Sequence, residues 1–293
     1  MSNPQMFERN LGFMSVAEQN TLDESIVAIA GAGGDGGMLA LQLTRMGVGG
    51  LRLADPDPFE IENTNRQAAC HQDTIGVNKA VAVGEYAQKI NPDIRIEYYT
   101  EGINRDNVAD FVEGASLVID ETEFTLPELG VMIARESRPR KIPVMTALNI
   151  GFGALVTTFD PSGTTLETVL GLDDKASIDA IAEQEVPLER WLPYLPAYVD
   201  LSVFTKVASG EKSAPSIAPG VALAAGMGAT QAFLNLVGDA NNRPKPVYAR
   251  KALAIDLMAA DRKIVKFGRS SFYRHLAKTL IRNKLSLNPQ ASY

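Results

Sequence analysis

Residues 26–37 read IVAIAGAGGDGG, an apolar run that passes directly into a glycine-rich loop. The run at 25–30 predicts a buried strand, and the helix that we expect after the loop spans 38–46. A second strand at 50–54 follows and ends in a cluster of aspartates. A strand, a glycine loop, a helix and a second strand, in this order, predict the nucleotide-binding half of a Rossmann-like fold.

Three glycines of the loop satisfy the pattern G-x-G-x-x-G between a strand and a helix. Gly31 permits the tight turn, Gly33 lets the backbone approach a phosphate, and Gly36 lets the helix pack closely on the strand. The N-terminus of the helix supplies free amides and a partial positive charge to that phosphate. The pattern alone does not choose between a dinucleotide and ATP.

Polar residues beyond the second strand indicate which nucleotide binds. Asp55 ends that strand, where its carboxylate can accept hydrogen bonds from ribose hydroxyls. Asn63 and Arg66 follow, and Lys79 comes thirteen residues after the arginine. The outer phosphates of ATP carry more charge than the pyrophosphate of a dinucleotide, and a guanidinium with an ammonium group can neutralise that charge. These residues therefore favour ATP.

Along the rest of the chain, β-branched apolar runs alternate with helical patterns, which is typical of a parallel sheet covered on both faces. The predicted strands are 116–119, 142–146, 152–159, 247–255 and 263–267. The predicted helices are 7–22, with Ser15 as a cap and Glu18 three residues later, then 126–136, 219–237 and 270–284. The predicted fold class is α/β: a Rossmann-like, mostly parallel sheet with helices on both faces, extended by an antiparallel acceptor half.

The predicted halves are an ATP-binding half at 1–160 and a substrate and dimer-packing half at 161–293, which we expect to form one continuous domain. Between 164 and 215, prolines cluster around Trp191, the only tryptophan of the chain. This stretch is interpreted either as a lid or substrate platform or as packing for the sheet edge, and the sequence leaves both open.

Composition excludes several classes of function. The formal net charge of −7 argues against nucleic-acid binding. The single cysteine, Cys70, excludes an intrachain disulfide framework and a multi-cysteine zinc site, so no zinc is expected and a reducing cytoplasm fits. The uncharged stretch 213–238 is broken by prolines and glycines, and we interpret it as buried protein and not as a membrane span. The polar, acid-bearing N-terminus does not have the features of a signal peptide.

With these residues in hand, the chain resembles the ThiF/MoeB family, the bacterial relatives of ubiquitin-activating enzymes. The run "N-x-x-R-Q … G-x-x-K" carries most of the resemblance. The matching positions are Gly31, Gly33, Gly34, Gly36, Asp55, Asp57, Asn63, Arg66, Gln67, Gly76 and Lys79. The resemblance also covers Arg9 and the turn after Asp120, and it is weak between 164 and 215.

The resemblance implies ATP-dependent adenylation of a carboxylate with release of pyrophosphate. It implies that the residue at Asp55 holds the ribose, that Asn63 and Arg66 hold phosphates, and that Lys79 stabilises the pentavalent phosphorus. It also implies a homodimer in which Arg9 reaches the ATP of the neighbouring subunit. The glycines, Asp57 and Gln67 are the remaining expected cofactor-binding positions. The substrate is expected to be a peptide, a ubiquitin-like C-terminus or a small acid.

The chain departs from the family pattern at three points. At the magnesium-binding turn, where relatives show D-x-x-D, this chain has Asp120 and Glu123, so the expected Mg²⁺ ligand is one of these oxygen donors. Asp35 stands in the loop where an apolar residue is commoner, and it can repel a phosphate or bind a metal. No paired C-x-x-C motif and no downstream cysteine exist, which favours a biosynthetic adenylation enzyme.

Two other functions remain open. An NAD-dependent oxidoreductase could use the same glycine loop, and Asp55 suits NAD, but the second half offers no convincing acid–base pair for hydride transfer. A non-catalytic nucleotide-binding scaffold could retain the site while Glu123 weakens turnover. Cys70 is expected to be a small, partly buried thiol and not a nucleophile.

Overall fold

The computed structural model describes residues 4–208, 211–238, 242–268, 272–277 and 280. Its centre is an eight-stranded sheet with the order β3-β2-β1-β4-β5-β6-β7-β8. The strands are β1 Ile26–Ala30, β2 Gly50–Ala54, β3 Arg95–Tyr99, β4 Leu117–Asp120, β5 Val144–Ile150, β6 Gly153–Phe159, β7 Lys251–Asp256 and β8 Asp261–Lys266. Pairing is parallel from β3 to β5 and antiparallel from β5 to β8. The predicted fold class is confirmed.

Helices cover both faces of the sheet. The α-helices are α1 Val16–Glu24, α2 Gly34–Met46, α3 Lys79–Ile90, α4 Val108–Val112, α5 Pro127–Ser137, α6 Leu166–Leu170, α7 Ile178–Ala182, α8 Leu188–Trp191, α9 Leu201–Ala208 and α10 Ala218–Val237. Short 3-10 helices span Pro4–Asn10, Ile61–Asn65 and Gln72–Thr74. Residues 272–277 are also helical.

Strand β1 lies between two apolar cores because its side chains alternate between the two faces of the sheet. Val27 and Ile29 pack into the core on the side of α2, α3 and α10. Ala28 and Ala30 pack into the core on the side of α4, α5 and α6. All four are fully buried, which explains why this strand reads as a continuous apolar run.

The N-terminal prediction of one helix over 7–22 is wrong. A 3-10 helix ends at Asn10, and α1 begins only at Val16. Ser15 and Glu18 form a reciprocal capping box, in which each side chain accepts a hydrogen bond from the backbone of the other residue. The predicted cap is therefore confirmed, and it marks a helix start in the middle of the predicted helix.

Other boundaries differ by a few residues. Helix α2 begins at Gly34 inside the glycine loop and not at residue 38. Strand β5 continues to Ile150, four residues beyond the predicted end at 146. Of the predicted helix at 270–284, residues 272–277 are helical, and most of the remainder lies outside the described residues.

One sheet joins residues from both predicted halves of the chain. Residues 153–156 of β6, in the first half, pair with residues 253–256 of β7, in the second half. Helix α10 is long and apolar enough to cross a membrane by length and composition, but 67% of its most apolar window is buried inside the protein. It packs on α2, β5 and β6, which makes it a core helix, as the sequence predicted.

Candidate active site

The glycine loop joins β1 to α2 in a turn that has no room for a side chain at Gly31 or at Gly36. Gly31 has a φ of +93°, and a Cβ there would lie 2.2 Å from the carbonyl oxygen of Glu121. A Cβ on Gly36 would lie 1.9 Å from the carbonyl oxygen of Gly31. The N-terminus of α2 receives no hydrogen bond from a capping side chain at Gly33. Its backbone amides can therefore bind an anion.

Asp55 ties the end of β2 to the glycine loop. Its Oδ2 accepts a hydrogen bond from the amide of Ala32 at 2.8 Å, and its Oδ1 accepts one from the amide of Asp57 at 3.0 Å. Burial raises the pKa of the Asp55 carboxyl above its ordinary value. Asp55 is buried and does not line the cleft described below, so its bond from a ribose hydroxyl stays a prediction.

Lys79 is the first residue of α3, and its ammonium group is held by a carboxylate. Its Nζ lies 2.9 Å from Oδ2 of Asp57, and its amide donates to the carbonyl of Asp57 at the same distance. The lysine side chain is 13% exposed. The ammonium group of Lys79 is therefore held in place by Asp57 and does not extend into bulk solvent.

The N-x-x-R-Q run forms a short 3-10 helix followed by a turn. The buried side chain of Asn63 accepts a hydrogen bond from the amide of Glu60 at 3.0 Å. Nη1 of Arg66 donates to the Oδ1 of Asn65 at 2.8 Å. Gln67 is buried next to the glycine loop. A Cβ built on Gly33 would lie 3.6 Å from the side-chain amide nitrogen of Gln67. Within the described part of the chain, Oε1 of Gln67 has no hydrogen-bond partner.

These segments meet in one cleft of about 520 Å³. Of the predicted site residues, the cleft is lined by Asp57, Asn63, Arg66, Gln67, Lys79 and Glu123. The segment after β2, the start of α3 and the turn after β4 each contribute to it. Arg9 lies on the exposed surface of the first 3-10 helix and does not line this cleft. Its predicted contact with the ATP of a neighbouring subunit stays a prediction.

The two predicted metal ligands face different parts of the molecule. Oδ1 of Asp120 accepts hydrogen bonds from the amide and hydroxyl of Thr122, and Oδ2 lies against Gly130 of α5. Glu123 lines the cleft. Over the described ranges, no group of three metal-binding side chains occurs. Magnesium stays a prediction, and of the two predicted ligands Glu123 is the one that lines the cleft.

Lys212 is a cleft residue that the sequence did not indicate. It lines the cleft together with Ser213 and Ala214, from the segment between α9 and α10. Two hydrogen bonds hold this segment: Oγ of Ser216 donates to Asn149 at 2.9 Å, and Asn65 donates to the carbonyl of Ser216 at 3.1 Å. No local sequence signal marks a lone lysine in a loop, so only the fold could reveal it.

Cys70 is not placed as a nucleophile. It is 7% exposed within the core on the α2 side of the sheet. Burial raises the pKa of its thiol above its ordinary value, which disfavours the reactive thiolate. This agrees with the predicted small buried thiol.

Asp35 neither faces the cleft nor forms part of a metal cluster in the described ranges. Its Oδ2 accepts two hydrogen bonds from Asn149, from the amide at 3.0 Å and from Nδ2 at 2.7 Å. Glu121 lies nearby and accepts a hydrogen bond from the amide of Ala147 at 2.7 Å. Burial raises the pKa of Asp35 to about 6, and burial with the charge of Asp35 raises the pKa of Glu121 well above its ordinary value. The side chains of Asp35 and Glu121 thus hold β5 next to the glycine loop by accepting hydrogen bonds from it.

Asp35→Asn should stabilise the protein at neutral and higher pH. The folded chain holds the Asp35 proton more tightly than the unfolded chain, so stability falls as pH rises from 3.8 through about 6. An asparagine can keep both bonds from Asn149, since both reach the same oxygen. We expect a gain of about 3 kcal/mol in the free energy of unfolding at about pH 8, measured by urea denaturation.

That gain should shrink as pH falls through 4 and vanish below about pH 3, where Asp35 is protonated in both the folded and the unfolded state. Asp106→Asn, at an exposed aspartate, is the matched control and should leave the pH dependence unchanged. A stability curve for Asp35→Asn that runs parallel to the parent at all pH values would contradict this account of Asp35.

Comparisons with known proteins give the family context. A sequence model of the ThiF family matches residues 7–271. The tRNA threonylcarbamoyladenosine dehydratase of Escherichia coli is 33% identical over 126 residues, covering 43% of this chain and 46% of the relative. The adenylyltransferase and sulfurtransferase UBA4 of Candida albicans is 33% identical over 111 residues, covering 38% of this chain and 25% of the relative. The chain thus aligns with less than half of the length of either relative.

Solved structures extend the likeness over most of the fold. Escherichia coli MccB with MccA-N7isoASN has a TM-score of 0.67 at 20% identity, covering 92% of this chain and 73% of MccB. MccB with ATP has a TM-score of 0.66 at 19% identity, covering 90% and 71%. At such identities the likeness concerns the fold.

Proposed function

Because this chain belongs to the ThiF family, we propose that it uses ATP to adenylate a substrate carboxylate and releases pyrophosphate. One observation carries the proposal. Arg66 and Lys79, which the sequence separates by thirteen residues, line the same cleft, and Gln67 joins that cleft to the glycine loop. Two cations beside a phosphate-binding turn suit a triphosphate better than the pyrophosphate of NAD.

The proposed reaction is an in-line displacement at the α-phosphorus. A carboxylate oxygen of the substrate forms a bond to that phosphorus, and the bond to the oxygen that bridges the α- and β-phosphorus breaks. The electron pair leaves with pyrophosphate, whose growing charge Arg66, Lys79 and Asn63 stabilise. Asp55 holds the ribose, and Gln67 contacts the nucleotide beside Gly33. Positioning and charge neutralisation suffice, so no protein nucleophile takes part.

The charge of the cleft supports a divalent cation. Four carboxylates and three cations line the cleft: Asp57, Glu60, Glu62 and Glu123, with Arg66, Lys79 and Lys212. A triphosphate would make this site strongly negative without a further positive charge. Oxygen donors are the ligands that Mg²⁺ prefers, and Glu123 would hold it. The ion would neutralise phosphate oxygens when bound.

The substrate is proposed to be a peptide or another carboxylate. The fold neighbour MccB has been solved with MccA-N7isoASN and with ATP, which supports this class of reactants. We also propose a homodimer in which Arg9, exposed on its own subunit, approaches the ATP of the partner.

Ligand-dependent stability tests the choice of nucleotide. We expect ATP with Mg²⁺ to raise the melting temperature, whereas NAD does not. At a ligand concentration a hundred times the dissociation constant, the stabilisation amounts to about 2.7 kcal/mol. Stabilisation by NAD alone would overturn the proposal in favour of an oxidoreductase. ATP binding without pyrophosphate exchange for any acid in a carboxylate panel would favour a non-catalytic scaffold.

A further inference from the structure

A second, apolar cavity shares a wall with the nucleotide cleft. Its volume is about 40 Å³, and it lies beside the last residues of β4 and along β5, on the face covered by α5 and α6. Phe124 lines both this cavity and the cleft. In open α/β sheets, ligands bind beyond the carboxyl ends of the strands, so both spaces occupy the edge at which a substrate would meet the nucleotide.

The walls of this cavity are mostly hydrocarbon. Leu148 of β5, Leu166 and Val169 of α6, and Trp191 of α8 line it. We call it the Trp191 cavity. Thr146 supplies a hydroxyl, and Asp120 and Thr122 stand at the end of β4. An apolar lining with a few polar groups at one end is typical of a pocket that binds part of a small molecule.

Trp191 carries a buried donor that the described residues do not satisfy. Its Nε1 is inaccessible to solvent and has no hydrogen-bond partner among them. Leaving a buried N–H unpaired is costly, and buried indoles usually find an acceptor. The indole of Trp191 forms part of the cavity wall, but its Nε1 is closed to solvent and so does not face the open space of the cavity.

We propose that the Trp191 cavity binds a small branched apolar side chain adjacent to the substrate carboxylate. The proposal rests on the adenylation proposed above and names its substrate class: an acyl group ending in a residue like valine. Phe124 separates the side chain from the nucleotide, and the carboxylate passes this ring to reach the α-phosphorus.

The size of the cavity selects among side chains. Its volume of about 40 Å³ corresponds to about three water molecules, since a cavity needs about 10–15 Å³ by this measure to hold one. Three carbon atoms of an isopropyl group suit this space, whereas a phenyl ring exceeds it. A charged carboxylate side chain would lose its hydration against Leu148, Leu166 and Val169.

The first experiment compares four acids in ATP–pyrophosphate exchange: N-acetylglycine, N-acetylvaline, N-acetylphenylalanine and N-acetylaspartate. We expect kcat/KM for N-acetylvaline to exceed that for N-acetylglycine by about tenfold or more, because a filled apolar pocket discriminates by this factor. The phenylalanine and aspartate derivatives should rank below valine. Equal values for all four acids would overturn the proposal.

The second experiment uses the single tryptophan as a direct reporter of binding. Trp191 is the only tryptophan of the chain, so its emission reports on the cavity. N-acetylvaline, added with a non-hydrolysable ATP analogue, should change that emission saturably, with a midpoint near its KM. Emission that does not respond to an acid supporting exchange would also overturn the proposal.

Two variants narrow the cavity without touching the cleft. Val169→Phe should reduce the ratio of kcat/KM for N-acetylvaline over N-acetylglycine to about one, and Val169→Ile should reduce it in part. Val131→Ile is the matched control, because Val131 is fully buried in the same core but does not line the cavity. Stabilisation by ATP serves as the test that each variant is folded. An unchanged ratio in both Val169 variants would overturn the proposal.

The outcomes separate this proposal from the proposed function. Equal rates of exchange with N-acetylglycine and N-acetylvaline, with no change in Trp191 emission, would overturn the cavity proposal. The proposed adenylation would not be affected by that result. Absence of exchange with every acid, together with a response of Trp191 to N-acetylvaline, would overturn adenylation and support the assignment of the cavity to an apolar acid.

Discussion

Arg66→Ala should lower carboxylate-dependent pyrophosphate exchange by roughly a hundred- to a thousandfold, the usual cost of removing one group that stabilises transition-state charge. Arg66 lines the cleft beside Lys79 and Glu123. Among the described residues, its guanidinium makes only local bonds, to the side chain of Asn65 and the carbonyl of Glu62. The free energy of unfolding should therefore change by less than about 1 kcal/mol.

The loss should appear mainly in kcat, since the guanidinium is proposed to meet charge that develops as pyrophosphate leaves. Arg45→Ala is the matched control: Arg45 is exposed in the last turn of α2 and does not line the cleft. Its exchange rate should equal that of the parent. Full exchange in Arg66→Ala would refute the assignment of the guanidinium to the phosphates, and with it the proposed reaction.

Gly36→Ala should destabilise the protein by about 3 kcal/mol and abolish ATP binding, because one methyl group overpacks the glycine loop. The new Cβ would lie 1.9 Å from the carbonyl oxygen of Gly31 and 3.2 Å from the side chain of Ile29. A backbone oxygen cannot rotate away as a side chain can. The loop must open, and the amides at the start of α2 lose the arrangement that binds a phosphate. Urea denaturation and thermal shift with ATP measure the two effects.

Gly226→Ala provides the matched control for the same methyl group. Gly226 lies inside α10, and a Cβ there would meet nothing within 4 Å. Alanine is a better helix former than glycine by about 1 kcal/mol, so this variant should be slightly more stable and bind ATP normally. If Gly36→Ala melted at the parent temperature and still responded to ATP, the described loop geometry would be wrong.

The local parts of the site could be predicted because neighbours in sequence create them. The apolar run before Gly31 predicts β1, and the boundaries of β2 agree with the prediction at both ends. The predicted capping box of Ser15 and Glu18 is confirmed. The prediction of one continuous helix over 7–22 is wrong. A capping box depends on four successive residues, whereas the continuity of a helix depends also on how its flanks pack.

The direction in which the acids point could not be predicted in this way. Period-two alternation along an extended chain directs Asp120, the last residue of β4, and Glu121, the next residue, to opposite sides of the sheet, but it does not say which side adjoins the cleft. Asp35 and Asn149 are 114 positions apart, and no local pattern pairs them. This contact gives Asp35 a structural partner that the sequence did not suggest, and repulsion of a phosphate and binding of a metal both stay predictions.

The sequence by itself determined the family, the fold class and the glycine-rich turn between β1 and α2, because these depend on glycines and apolar runs whose effects act over a few residues. Only the tertiary structure decided that Glu123 and not Asp120 lines the cleft, that Lys212 joins Arg66 and Lys79 there, and that Trp191 stands beside a second cavity. Those features arise where segments far apart in the chain meet at one edge of the sheet. Residues that are neighbours in sequence do not specify these long-range contacts. The packing of the two apolar cores on the sheet determines them.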